Sequence, residues 1–274
     1  MKQPLISVVM STYNEEKYVK DSIASILNQT FSDFEFIIIH EYGSTDRTLE
    51  ILKCYSVLDE RINILINDEY IGFAESLNKG IKNAKGKYIA RMDAGDISHP
   101  ERFEKQVKFL EEHEDVCIVG TWAYWIKKDK KIIGEWRPPA VINNISLFKI
   151  SPAIHSSIMI RKKLFEEIGN YNSKYRAEDF ELYMRAMKNG FGIANIQDFL
   201  INIAYREGIS IVKIREMQKS TFKIKLRYLP YFFNFWNVIY TMRSLVGCLL
   251  PSFLLKRILP SIRRKNGKLG DNHA

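Results

Sequence analysis

Apolar runs alternate with amphipathic stretches along the first hundred residues of the chain. Four of these runs predict buried strands: Leu5–Met10, Phe34–Ile39, Arg61–Ile66 and Lys87–Met92. The stretches between them predict three helices: Glu15–Asn28 capped by Asn14, a second from Ser44 or Thr45 to Tyr55, and a third over Gly72–Ala84. This β-α-β-α-β-α-β order predicts a parallel, doubly wound α/β sheet with right-handed crossovers.

The pattern changes after the fourth strand. Pro100 precedes a helix whose apolar positions Phe103, Val107 and Leu110 repeat at helical spacing. The later elements predicted are a short strand at Val116–Gly120, a hairpin at Trp122–Trp136, helices at Val141–Lys149, Arg161–Ile168 and Glu178–Lys188, and closing strands from Phe191 to Arg206.

Charged residues are distributed unevenly along the 274 residues of the chain. The net charge is +9, but residues 213–274 alone carry 13 Lys and Arg against two acids. The rest of the chain is therefore nearly neutral, at −2. We predict a body at residues 1–212 and a basic, aromatic-rich helical tail at 213–274 that prefers anionic partners.

Three roles are open for this tail. Short apolar helices flanked by basic clusters favour an anionic membrane surface. Packing on the body or in a dimer interface is the second alternative. Basic residues interleaved with aromatics also suit nucleic acid, but no nucleic-acid-binding module accompanies them, so we expect no such partner.

The cysteines and the apolar runs indicate the cellular compartment in which the protein is expected. Three widely spaced cysteines predict neither a disulfide framework nor a zinc site, and they favour a reducing cytoplasm. The N-terminal apolar run is short for a signal peptide and is better explained as a first strand. No stretch approaches the roughly 18 uncharged apolar residues of a spanning helix.

Acidic residues follow two of the predicted strands and open a late helix. Glu41 comes after the second strand, Asp93 and Asp96 come after the fourth, and Glu178 and Asp179 begin the helix. The carboxyl ends of parallel strands meet at one edge, where open α/β sheets bind ligands. Carboxylates there can accept hydrogen bonds from a base or a ribose, hold a divalent cation, or act as general base. Taken singly, each acid is better explained by a structural role: Glu41 as a surface charge, Asp96 as a helix cap, and Glu178 with Asp179 as helix N-terminus charges.

Other catalytic motifs are missing from the sequence. There is no G-x-G-x-x-G, no G-x-x-x-x-G-K-[ST] and no G-x-S-x-G, which removes support for dinucleotide, P-loop and nucleophile-elbow sites. His155, in SPAIHSSIMI, has apolar neighbours typical of a hydrogen-bonded core histidine, although a role near phosphates is also open.

Several segments, in one colinear order from about residue 5 to 210, carry a family resemblance. They are SVVMSTYNEE with GSTDRT, the region GKYIARMDAGDISHPERF, then HSSIMIRKKLFEEIGNYN, AEDFELYMRA and YREGIS. Together they resemble the inverting glycosyltransferases of family 2, which have a GT-A fold. The resemblance implies a Rossmann-like, mostly parallel sheet flanked by helices, with a DXD region at Asp93.

Site residues follow from the resemblance position by position. It implies that Asp179 is the catalytic base, and that Glu178 and His155 support it or contact the acceptor. It implies donor contacts from Ser11, Tyr13, Glu41, Asp93 and Arg206. It also implies a divalent metal, Mg²⁺ or Mn²⁺, at Asp93 and Asp96.

Two departures from the family pattern affect these assignments. The sequence His40-Glu41-Tyr42-Gly43 holds one more residue than the family's DDGSTD, so either Glu41 or Tyr42 faces the base. Gly95 stands where the family's DADD places a metal ligand. Asp96 then shifts in to hold the cation, or Asp93 holds it with waters, or metal binding is weakened.

The resemblance implies an activity. We expect inverting transfer of a sugar from a nucleotide-sugar, with a UDP-sugar favoured, to a hydroxyl of a lipid-linked glycan in surface polysaccharide biosynthesis. The expected location is cytoplasmic and peripheral, on the inner face of a membrane. The alternative is a non-catalytic subunit that binds nucleotide-sugars through a degraded DXD motif.

Overall fold

The computed structural model describes residues 3–206 and 210–249, and within them nine strands form one mixed sheet. The strands, in chain order, are β1 (Ile6–Thr12), β2 (Phe34–His40), β3 (Ile62–Ile66), β4 (Tyr88–Asp93), β5 (Ile97–Ser98), β6 (Val116–Ile126), β7 (Ile132–Trp136), β8 (Met159–Arg161) and β9 (Gly192–Ala204). The α-helices are α1 (Val19–Leu27), α2 (Thr48–Leu58), α3 (Phe73–Asn83), α4 (Arg102–Glu112), α5 (Asn144–Lys149), α6 (Lys162–Ile168), α7 (Glu178–Lys188), α8 (Ile211–Tyr228) and α9 (Phe235–Leu249).

The predicted α/β sheet is confirmed in its first half. Strands β3, β2, β1 and β4 lie side by side in that order, and every neighbouring pair is parallel. Alternate residues of β1 and β2 contribute to two apolar clusters, Val9 and Ile37 to one and Val8 and Phe36 to the other. Because successive strand side chains point to opposite faces, both faces of the sheet are covered.

The second half differs from the prediction in its strands. Strand β8 lies antiparallel between β4 and β6, and its three residues are too few to leave a pattern in the sequence. Strand β6 runs without interruption from the predicted short strand into the predicted hairpin with β7. The predicted closing strands are the single strand β9, which pairs parallel to β6.

Three helix starts were predicted too early, and one of them is α5, which begins at Asn144 because Asn143 caps it by accepting the N–H groups of Ile145 and Ser146. Helix α1 begins at Val19, because Asn14 has a left-handed backbone (φ 54°) and its Oδ1 accepts the N–H of Thr45 across the sheet edge instead of capping the helix. Helix α2 begins at Thr48, and its first N–H donates to Oδ1 of Asp46. For α1 and α2, hydrogen bonds between Asn14 and the Ser44–Thr45 loop engage the side chains that local capping rules assign to the two helices.

The described part of the tail is helical and contacts the body. Tyr228 of α8 donates its hydroxyl to Glu181 of α7 at 2.7 Å, and Lys225 joins α8 to Ser244 of α9 at 2.9 Å. Residues 207–209, within YREGIS, and 250–274, with six of the tail's thirteen Lys and Arg residues, lie outside the described residues. In the ranges 3–206 and 210–249, no helix is long and apolar enough to cross a membrane.

Candidate functional site

A cavity of about 470 Å³ lies at the carboxyl ends of β1 and β4. The parallel register sets Ser11 beside Asp93, and both strands finish there, as expected for a ligand site in an open α/β sheet. The cavity lining includes most of the predicted site residues, namely Ser11, Tyr13, Asp93, Asp96, His155, Asp179 and Arg206. The fold therefore collects, in one place, residues that are up to about two hundred positions apart in sequence.

Glu41 is outside this lining, and its side chain is only 3% exposed. Its carboxylate accepts hydrogen bonds from the Asn67 amide, the Ser76 hydroxyl and the backbone N–H groups of Tyr42, Ile71 and Gly72. These bonds fasten the end of β2 to the start of α3. The base contact expected of Glu41 stays a prediction, and the neighbouring Tyr42 is exposed.

Two tyrosines form an exposed aromatic pair at the rim. Tyr13 lines the cavity, and its ring meets that of Tyr70 edge-on with centroids 6.3 Å apart. Both rings are largely exposed, although aromatic side chains usually bury a large area. The pair can receive a flat ring such as a nucleobase. Tyr70 was missed because its loop before α3 carries no strand or helix pattern.

A buried cation, Arg91, lies beneath the cavity. Its side chain is 2% exposed, and its Nη1 is 2.5 Å from Oδ1 of Asp93, two residues along the same face of β4. Its guanidinium also lies 5.1 Å from the centre of the Phe73 ring. Burial lowers the pKa of Arg91, but Asp93, Tyr171 and Asp96 together raise it above its ordinary value, so the guanidinium stays ionised. Arg91 was not predicted as a site residue, although a charged residue inside an otherwise apolar strand is a sign of a functional role.

Gly95 allows a second cation to approach the acidic loop. The Arg206 guanidinium donates to both carboxylate oxygens of Glu15 at 2.7 Å and to the carbonyl oxygen of Ala94 at 2.6 Å. A Cβ at Gly95, where φ is +111°, would lie 2.7 Å from Nη2 of Arg206. Arg206 thus occupies the space into which a side chain at position 95 would project. Burial raises the pKa of Glu15, and the Arg206 pairing opposes that rise.

Asp96 is the buried acid of the loop. Its Oδ1 accepts the Ala204 N–H at 3.0 Å, while its Oδ2 is buried without a hydrogen-bond partner among the described residues. Burial, followed by repulsion from Asp93, raises the pKa of Asp96 to about 7. Its protonated and ionised forms are therefore both populated near neutral pH.

These acids fit one kind of metal site. Within residues 3–206 and 210–249 no three His, Cys, Asp or Glu side chains cluster as ligands, and Gly95 supplies none. Asp93 has a 42% exposed side chain, and Asp96 has its unpaired oxygen. Because Mg²⁺ is commonly held by one or two carboxylates together with substrate phosphates, the pair fits a cation shared with a bound diphosphate.

Glu178 and Asp179 form the first turn of α7, and of these two acids Asp179 lines the cavity. Oδ1 of Asp179 accepts the N–H of Phe180 at 2.7 Å. Burial raises the pKa of both carboxyls, and the charge of Asp179 adds to the rise for Glu178, which reaches about 8. Glu178, with a pKa of about 8, therefore keeps its proton at neutral pH.

His155 stands next to this pair as a neutral group. Its Nε2 is 2.9 Å from the Tyr171 hydroxyl, and Phe73 packs edge-on against its ring. Burial and the Arg91 charge hold the pKa of His155 well below its usual range. Its Nδ1 lies 3.9 Å from Glu178, and this contact joins two neutral groups rather than an ion pair. Tyr171, in GNYN, was not predicted as a site residue.

Comparison with known proteins agrees with this geometry. The family model described as "Glycosyl transferase family 2" matches residues 7–169. An uncharacterized glycosyltransferase of Methanocaldococcus jannaschii is 35% identical over 98% of this chain and 97% of its own length. The O-antigen biosynthesis glycosyltransferase WbnJ of Escherichia coli is 36% identical over 72% of this chain and 78% of its own length.

Solved structures share the fold at low sequence identity. S. aureus TarS 1-349 in complex with UDP-GlcNAc gives a TM-score of 0.66 at 19% identity, covering 95% of this chain and 74% of that one. The mannosyltransferase PcManGT from Pyrobaculum calidifontis, in complex with GDP-Man and Mn²⁺, gives 0.65 at 14% identity, covering 95% and 81%. These similarities show that the sheet and its flanking helices form the GT-A fold.

Proposed function

The chain belongs to glycosyl transferase family 2, and from that premise we propose that it transfers a sugar, with inversion, from a nucleotide-sugar donor to a hydroxyl of a glycan acceptor. One observation carries the proposal. Asp93 at the strand edge and Asp179 at the start of α7 line the same cavity. A donor-holding acid and a base for the acceptor are thereby both available to one bound substrate pair.

The donor occupies the side of the cavity nearest β1 and β4. The exposed rings of Tyr13 and Tyr70 receive the nucleobase, and Ser11 and Asp93 lie beside the ribose and the diphosphate. Arg206 supplies positive charge to the phosphates, which bind guanidinium groups strongly. Relatives in this fold bind UDP-GlcNAc and GDP-Man, which supports a nucleoside diphosphate sugar, and a UDP-sugar remains the favoured donor.

Asp179 acts as general base. Its carboxylate takes the proton from the acceptor hydroxyl while that oxygen attacks the anomeric carbon, and the bond to the nucleoside diphosphate breaks on the opposite face. A single in-line displacement inverts the anomeric configuration. Glu178 stays protonated beside it, so the base is not faced by a second full negative charge. His155, which is neutral, lines the same cavity and hydrogen-bonds to the Tyr171 hydroxyl.

A divalent cation completes the donor site in this proposal. Asp93 and Asp96 would hold Mg²⁺ or Mn²⁺ together with the donor phosphates, and the ion would neutralise charge on the departing diphosphate.

The acceptor belongs to surface polysaccharide biosynthesis in this proposal, as the name of the WbnJ relative suggests. It is lipid-linked, so the enzyme works as a peripheral protein on the cytoplasmic face of a membrane. Helix α9 supports this location, because Asn237 and Thr241 are buried while Trp236, Ile239 and Val246 are exposed. A helix with polar residues inside and apolar residues outside suits an interfacial position, and exposed Lys213, Lys223 and Arg243 add charge for anionic lipids.

Vesicle sedimentation tests the membrane contact. We expect the wild type to sediment with vesicles of phosphatidylglycerol and phosphatidylcholine, and the double variant Trp236→Ser, Ile239→Ser to remain in the supernatant. The matched control is Val57→Ser, Leu58→Ser, which removes exposed apolar side chains from α2. Equal sedimentation of both variants would exclude α9 as the membrane contact.

A donor screen tests the function itself. A panel of nucleotide-sugars, with and without Mg²⁺ or Mn²⁺, is tested for a rise in melting temperature and for release of the nucleoside diphosphate. A specific donor raises the melting temperature by mass action, and an enzyme also releases its nucleotide. Binding without release or transfer over the whole panel would instead support the alternative of a non-catalytic nucleotide-sugar-binding subunit.

A further inference from the structure

Part of the cavity wall is built by the β6–β7 hairpin, away from the strands that carry the acids. Trp125 of β6 and Trp136 of β7 both line the cavity, and both are half-buried. Their ring centroids are 6.0 Å apart and their planes differ by 8°. Two parallel indoles therefore border the same space as Asp179 and His155.

The strand register places small residues directly opposite these two rings across the hairpin. Trp125 pairs across the hairpin with Gly134, and Trp136 pairs with Ala123, so the four positions share one face of the hairpin. A Cβ at Gly134 would make an ordinary van der Waals contact, at 3.6 Å, with Cδ1 of Trp125. The two large rings thus face the smallest residues, and the space beside them belongs to the cavity.

We propose that Trp125 and Trp136 form a platform for a pyranose ring of the acceptor glycan. This inference rests on the proposed glycosyl transfer and names the chemical class that its acceptor side recognises. A pyranose has a flat face of C–H groups that packs on an aromatic ring, and a rim of hydroxyls that needs polar partners. Ser151, His155 and Asp179 line the same cavity and can meet that rim.

A pyranose fits the surface formed by Trp125 and Trp136 better than a phosphate or a lipid chain does. The nearby cations are already paired: Arg91 with Asp93 at the end of β4, and Arg206 with Glu15 on the loop after β1. The platform itself therefore carries no charge for a phosphate. A lipid chain would leave the neighbouring polar groups without partners, which costs free energy. Flat apolar rings beside hydroxyl-binding groups match the two surfaces of a pyranose.

The test separates the platform from the proposed function. Release of nucleotide from the donor is measured alone and with increasing methyl glycosides of glucose, galactose, mannose and N-acetylglucosamine, and quenching of tryptophan fluorescence is recorded in parallel. The variants are Trp136→Phe, which keeps a smaller flat ring, and Trp136→Leu, which keeps apolar bulk without one. The matched control is Trp122→Leu, because Trp122 packs against Phe199 and Arg137 and is not part of the cavity lining.

We expect Trp136→Leu to raise the half-saturating concentration of the active glycoside about five- to tenfold, with Trp136→Phe in between. The donor KM should stay within about twofold, and the Trp122→Leu control should match the wild type. Equal half-saturation in all four proteins would overturn the platform, as would a wild type that hydrolyses donor yet responds to no glycoside. Failure of nucleotide release with every donor would instead contradict the proposed function.

Discussion

Replacing Arg91 with methionine removes a buried positive charge from beneath the acids of the cavity while keeping a long, unbranched side chain. Arg91 pairs with Asp93 at 2.5 Å, and its charge also lowers the pKa values of Glu178 and Asp179 against the effect of burial. Its loss should therefore raise the pKa of the catalytic base. Arg91 acts through these carboxylates and is a positioning residue.

The size of the effect follows from how Arg91 contacts each acid. A nearby opposite charge shifts a carboxyl pKa by about 1 to 3 units, and Arg91 touches Asp93 rather than Asp179 directly. We therefore expect the lower end, about one unit, which corresponds to about 1.4 kcal/mol. The acidic limb of the kcat profile should move up by about one pH unit, with kcat recovering at high pH.

The same variant should change how stability depends on pH. Glu178 has a folded-state pKa of about 8 against an ordinary 4.5, so the folded state holds a proton that the unfolded state has lost. Its contribution to stability is complete below about pH 4.5 and disappears as the pH rises through about 8. Without Arg91 the folded-state pKa of Glu178 rises further, so the melting temperature of Arg91→Met should continue to fall to a higher pH than that of the wild type.

The assay is nucleotide release from saturating donor across the pH range, with melting temperature measured on the same proteins. Arg91→Lys is the control, because it keeps the charge but not the planar guanidinium, and its profile should stay near that of the wild type. If the kcat profiles of Arg91→Met and the wild type coincide, the charge of Arg91 does not set the pKa of the base, and the reasoning is refuted.

Two stability predictions follow from single loops. Gly95→Ala should cost about 1 to 3 kcal/mol in urea denaturation, because it strains the backbone at φ +111° and displaces Arg206. Gly190→Ala, at φ +83° with open space around it, controls for backbone strain, and equal costs would show that Arg206 moves freely. Asp46→Ala should cost about 1 kcal/mol at neutral pH, since the Asp46 carboxylate accepts the first N–H of α2. Although burial acts against it, hydrogen bonding from Thr48 lowers the pKa of Asp46 below 3.8, so this cost should shrink in denaturation curves below that pH; a constant cost would contradict the capping role.

The pattern of apolar residues was sufficient to predict much of the fold. The runs at β1, β2 and β4 are long and buried on both faces, so their order alone gave the parallel sheet and placed Asp93 at its edge. Strand β8 and the full length of β6 depend on pairing between distant segments, which no local pattern records. The start of α1 was misjudged for the same reason, because Asn14 bonds to a loop that follows another strand.

The candidate site was predicted where its residues lie in motifs and missed where they act through distant contacts. Asp93 and Asp179 were assigned from the resemblance, and both line the cavity. Glu15 and Tyr171 went unassigned because their partners, Arg206 and His155, lie elsewhere in the sequence. Arg91 sits in a strand that is otherwise apolar, and only its pairing with Asp93 shows why a charge is placed there.

The most direct test of glycosyl transfer by this site compares Asp179→Asn with the wild type, using the donor that the nucleotide-sugar screen identifies. Asp115→Asn, an exposed acid before β6, is the matched control. We predict that Asp179→Asn reduces transfer by at least about a hundredfold, the usual contribution of a general base, while the dissociation constant of the donor, measured by calorimetry, changes little. Transfer by Asp179→Asn at the rate of the wild type and of Asp115→Asn would contradict the account.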